Sequence, residues 1–148
     1  MKSLFFLSLL LLLSGAAWGA EGLVIRKSPH DAATTMNRLE EILLQKGMTI
    51  FARIDHAAGA RKIGQELRPT EVIIFGNPKV GTALMRCSQT AGIDLPLKAL
   101  VWQDESGQVW LGYNDPAWLA GRHQAPECAV VPKMTQALAN FAAAATAP

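Results

Sequence analysis

The sequence predicts an α+β fold: a single compact domain with a mostly antiparallel sheet and its helices packed on one face, in the order β-α-β-β-α-β-β-α. Three observations carry this expectation. Ala32, Met36, Leu39 and Leu43 form a helical stripe between two segments of strand-forming residues. The turn Asp104-Glu105-Ser106-Gly107 joins two further strand-like segments into a hairpin. Half of the 148 residues are hydrophobic and the charges are mixed, which suits one packed globule.

The chain opens with a pattern of its own. Lys2 precedes an apolar run over residues 4–13, and Ala16, Ala17, Gly19 and Ala20 supply small residues for cleavage. This reads as a secretory signal peptide over 1–19, leaving a domain over 20–148 in the periplasm or another secreted compartment. The run is shorter than the roughly 20 residues of a membrane span, and no other segment is apolar enough for one. Cys87 and Cys128 would then lie where disulfides persist, and their spacing fits no metal motif. Either a bridge closing a loop of about 40 residues or two separately packed thiols satisfies the sequence.

Within the domain, Val24 and Ile25 mark a first strand over residues 22–27. Ser28 or Asp31 can cap the striped helix, and Gly47 ends it. Residues 48–54 alternate, which predicts a half-buried strand with Met48, Ile50, Ala52 and Ile54 on one face. Residues 57–67 are weakly patterned and hold Gly59 and Gly64. The apolar run 71–75 predicts a central strand. Asn77 then caps a short helix with Pro78 in its first turn, ending near Cys87. After a polar crossover over 89–96 come the two hairpin strands, 97–103 and 108–113. Asn114-Asp115-Pro116 repeats the strand-to-helix cap before a short helix over 117–120. A last helix starts near Pro132, and its alanine-rich end, 142–145, is expected to fray.

Several blocks together resemble a known family: IDHAAGA (54–60), LRPTEVIIFGNPKVGTALM (67–85), TAGIDLPLKALVWQDESGQVWLGYNDP (90–116) and Arg122-His123, preceded by RLEEILLQKGM. They are similar to the uncharacterised family called domain of unknown function 302, over about residues 23–134. The resemblance implies a compact α+β domain and a homodimer. It implies no catalytic residue and no cofactor, and Cys87 and Cys128 fall outside its pattern.

Composition narrows the function classes. The formal charge is only +2 and the basic residues are scattered, which argues against nucleic acid as a partner. The segment from Gly76 to Thr82 follows a strand and opens a helix, as a phosphate loop does, but Thr82-Ala83 stand where a Walker loop needs lysine and a hydroxyl residue. An anion subsite at Asn77 and Lys79 is the residual reading; a plain capped helix is the simpler one. Asp55-His56 puts an acid beside a titratable base at a strand end, and His123 and Asp115 are further candidates. His56 and His123 could ligate a metal if the fold joined them to Asp55 or Asp115; otherwise Asp55 and His56 shape a turn. Lys98 shares a strand face with Leu100 and Trp102, as a pocket lysine or as one that reaches solvent. The serines after the leader, Ser28, Ser88 and Ser106, stand in caps and turns, and no G-x-S-x-G, H-E-x-x-H or C-x-x-C occurs. The expected function is therefore binding of a small ligand, with Asp55, His56, Asn77, Lys79, Lys98, Asn114, Asp115 and His123 as candidate contacts. A histidine–carboxylate enzyme and a dimeric partner-binding module are the alternatives. The ends of the strands before Asn77 and Asn114 are the place to look.

Overall fold

The computed structural model describes residues 20–148; the expected signal peptide lies outside the described residues. Five strands, β1 (Leu23–Ser28), β2 (Thr49–Asp55), β3 (Thr70–Gly76), β4 (Leu97–Gln103) and β5 (Val109–Asn114), form one sheet in the order β1-β5-β4-β3-β2. Every neighbouring pair is antiparallel. The expected α+β class is what the chain adopts.

The first helix, α1 (Ala32–Gln45), begins where Asp31 accepts a hydrogen bond from the Thr34 amide, so Asp31 rather than Ser28 is the cap. Ser28 is buried and hydrogen-bonded to Thr35 instead, at 2.7 Å. The helix ends at Gly47, whose φ of 71° is a left-handed conformation that glycine adopts without a Cβ clash. Met36, Leu39 and Leu43 are fully buried against the sheet, each worth about 1.5–3 kcal/mol of apolar burial. The last helix, α5 (Val131–Ala145), packs beside α1 and adds Leu138 and Phe141 to the same core, which meets Ile73, Phe75, Val101 and Leu111 from the sheet.

Three differences from expectation matter. The weakly patterned segment forms a helix, α2 (His56–Lys62), because Asp55 caps it by accepting from the Ala58 amide. The alanine-rich end of α5, expected to fray, is helical through Ala145. Ala142 and Ala145 are buried, and the Arg38 guanidinium donates to the carbonyls of Ala144, Ala145 and Ala147 at 2.9–3.2 Å. Finally, β2 does not present one continuous face. Ile50 pairs with Phe75 and Ala52 with Ile74, so Phe51 is an extra residue and the strand changes phase across it. Ile50 and Arg53 face the helices; Ala52 and Ile54 face the other way.

The helix-facing side of the sheet is buried. Its opposite side, with Ile25, Val72, Leu100, Trp102 and Trp110, is partly exposed, and among the described residues no helix packs on it.

Candidate functional site

β3 and β5 both run antiparallel to the β4 strand between them, so Gly76 and Asn114 end at the same edge of the sheet. There α3 (Pro78–Cys87) and α4 (Pro116–Arg122) start, each with proline in its first turn. Asn77 caps α3 by accepting from the Lys79 amide at 3.0 Å, and Asp115 caps α4 by accepting from the Ala117 amide at 3.0 Å. The two strand-to-helix caps are thus matched, as the repeated Asn/Asp-Pro pattern predicted.

Between β2, β3 and α3 lies a groove of about 330 Å³. Phe51 forms its outer wall, and Val80, Met85, Leu95 and Met134 close it from α3, the crossover and α5. Glycines open the space: a Cβ on Gly76 would lie 3.6 Å from Phe51 and Pro96, and one on Gly81 3.8 Å from Leu95. Asn77 and Thr82 are the polar side chains at its rim. Val80, Leu97 and Met134 also line a smaller space of about 80 Å³ on the core side. The Phe51 side chain, 55% exposed, stands where the bulge aims it. A groove with these walls can hold an apolar body and offer one amide to a polar end.

The crossover behind the groove carries a second cluster. Residues Gln89–Ile93 form a short 3-10 turn, and the Asp94 that follows is 17% exposed. The Arg122 guanidinium donates to Asp94 Oδ1 at 3.1 Å, and His123 Nε2 lies 2.5 Å from Oδ2. With Nε2–H donating to that carboxylate, Nδ1 accepts from the Thr90 hydroxyl at 3.0 Å, and Thr90 in turn contacts Ser88 Oγ at 3.1 Å. His123 is only 8% exposed. This line of hydroxyl, imidazole and carboxylate fastens the crossover to the end of α4. A disulfide joins Cys87, at the end of α3, to Cys128, ahead of α5, with their Cα atoms 6.0 Å apart. Leu84, Ala91, Ala120 and Met134 pack beside it as a second apolar cluster.

The candidate residues separate into distinct places. Asn77 lines the groove, while Lys79 is exposed on α3 outside the lining. Lys98 is exposed on β4 and donates to the Pro96 and Asp94 carbonyls at 3.0 and 3.3 Å, so its ammonium reaches solvent rather than a buried pocket. Asn114 and Asp115 stand at the same sheet end but beside β1, where the Asp115 amide donates to Gly22 O. Asp55 and His56 lie at the opposite end, a strand length of about 20 Å away. The structure therefore does not bring His56 to His123. Among the described residues, no group of three or more His, Cys, Asp or Glu is placed to hold a metal ion. Sequence reasoning missed Asp94, the acidic partner of His123, because the two are 29 positions apart and only the folded crossover joins them. It also missed Phe51, since a bulge leaves no mark on an alternating pattern.

The family described as Domain of unknown function DUF302 matches residues 24–141. A crystal structure of an uncharacterized conserved DUF302 protein from Bacillus stearothermophilus superimposes with a TM-score of 0.74 at 22% identity, covering 82% of this chain and 96% of that one. Among curated proteins, fluoride-specific ion channel FluC 1 of Brucella suis and its namesake in Brucella abortus are each 54% identical over 102 residues, which is 69% of this chain. The chain spans only 40% and 38% of those relatives' lengths.

Proposed function

The chain belongs to the DUF302 family, and from that premise we propose that it is a secreted domain that binds a small, largely apolar molecule in the groove beside α3. The groove itself carries the reading: a volume of about 330 Å³, apolar walls from four elements, and the Asn77 amide at the rim. That volume falls at the lower end of the about 300–1,000 Å³ typical of small-molecule sites. Secretion rests on the leader pattern and on a disulfide, which persists in oxidising compartments. The channel name of the Brucella relatives belongs to proteins more than twice the matched length, and among the described residues no helix is long and apolar enough to cross a membrane. Ion conduction is therefore not assigned to this domain.

The test is a thermal-shift screen with medium-chain fatty acids and small aromatic compounds, run on the wild type and on Gly81→Leu. Leucine favours the helix over glycine and projects into the groove, where a Cβ meets only ordinary contact with Leu95. A compound present at about 100 times its Kd should stabilise the wild type by about 2.7 kcal/mol. Gly81→Leu should fold and lose that response. Absence of any stabilising compound, or an equal response in the variant, sinks the proposal.

A further inference from the structure

The sheet side that faces away from the helices carries side chains of a different chemistry. Trp102 and Trp110 are directly paired across β4 and β5; their ring centroids are 6.5 Å apart and their planes differ by 19°. The arrangement is held in place. Trp110 Nε1 donates to Asp104 Oδ2 at 2.7 Å, and Lys27 Nζ stands 5.5 Å from the Trp110 ring centre. The Trp102 ring lies over Gly112, where a Cβ would come within 3.0 Å of it, so glycine there lets the indole lie down on the sheet.

Beside Trp102, a cavity of about 510 Å³ opens between the hairpin turn and the segment entering β3. Arg68, Thr70, Gln103, Asp104, Glu105 and Ser106 line it, so one aromatic wall faces hydrogen-bond donors and acceptors of both signs. Arg68 and Glu105 sit 3.9 Å apart across it, and Asp104 gives the lining one more carboxylate than it has cations. A polyanion would need an unbalanced basic surface, and an apolar ligand would leave these groups without partners on desolvation. A sugar satisfies both conditions: one face of a pyranose presents C–H groups to an aromatic plane, and its rim presents hydroxyls.

We propose that this face binds an oligosaccharide, with Trp102 and Trp110 as a stacking platform and Arg68, Gln103 and Glu105 as hydroxyl partners. The site is independent of the groove beside α3 and stands or falls separately.

The experiment uses the full chain. An array of neutral, N-acetylated and uronic-acid oligosaccharides identifies a binder, and titration calorimetry with the best tetrasaccharide measures it while tryptophan emission is followed. Saturable binding with a change in emission is expected. Trp102→Ala should weaken it about tenfold or more, and so should the exposed pair Arg68→Ala/Glu105→Ala, which touches no core residue. Trp118→Phe, whose ring packs on Gly22 ahead of β1 and does not line this cavity, should bind as the wild type does. Any of three results overturns the proposal: no saturable binding across the array, binding unchanged in both variants, or sedimentation that shows a dimer with Trp102 and Trp110 protected inside it.

Discussion

Arg53 is the residue whose removal should be felt most outside the apolar core. The phase change in β2 turns it toward α1, where its guanidinium donates to both Glu71 oxygens at 2.7 and 3.0 Å, to Glu40 at 2.6 Å and to Asn37 at 3.0 Å. The hydrogen bonds to Glu71, and then the one to Glu40, raise its already high pKa further. Arg53→Met keeps the stem and strands two carboxylates near one another; a loss of about 2 kcal/mol in urea unfolding is expected. Asp104 makes the complementary case. The Ser106 hydroxyl first, then the Trp110 indole N–H, hold its carboxyl at about 2, below the ordinary 3.8. The folded chain thus gives up that proton more readily than the unfolded one. The stability this carboxylate contributes is complete above about pH 4 and drains away as the pH falls toward about 2. In acid titrations followed by circular dichroism, Asp104→Asn should differ from the wild type at neutral pH and converge with it on acidification. A constant gap would show that the carboxylate's charge is not what matters.

Among the elements, those announced by local chemistry were the ones legible in sequence. Asn77-Pro78 and Asp115-Pro116 place a hydrogen-bonding cap and a preset φ side by side, so the starts of α3 and α4 need no tertiary information. The hairpin is similar: Asp104 accepts from the Ser106 and Gln108 amides, and Gly107 takes a φ of 85°. By contrast, α2 is short, holds Gly59 and owes its existence to one cap. The candidate site was half legible for the same reason. Asn77 announced itself, but the groove's apolar walls come from Phe51, Leu95 and Met134, which meet only after folding. The disulfide is the covalent part of that meeting, joining positions 41 residues apart and holding α3 against the entrance to α5. Replacing both cysteines by serine should cost about 4 kcal/mol of loop-closure stabilisation. Chemical denaturation of the double variant beside the oxidised wild type checks this, and a difference under about 1 kcal/mol would mean that the second apolar cluster aligns the two helices unaided.

Across the whole molecule, the first and last helices are tied together where the chain ends. Arg38 of α1 holds three carbonyls at the end of α5, and His30 Nε2 lies 2.8 Å from the Ala147 carbonyl. These bonds span more than 100 residues of sequence, so a local reading of the alanine-rich end could only predict fraying. Arg38→Met should lower stability by about 1–2 kcal/mol and speed amide hydrogen exchange selectively in residues 142–147. Uniform acceleration across α5 would instead point to loss of packing. The sheet poses the opposite problem for a reader of sequence. Because both of its faces are apolar, alternation identifies strands without saying which face the helices cover, and the partly exposed Trp102–Trp110 face emerges only from the topology.

The bulge in β2 has a consequence for how such a domain could change over generations. Without Phe51, Ile50 and Ala52 would become consecutive, and each already has its own partner on β3. A single-codon deletion there would leave the ladder intact and take away only the outer wall of the groove. Architecture and pocket are thus separable at one position, so variants of this domain could lose or reshape ligand recognition by insertion and deletion while the scaffold stays fixed.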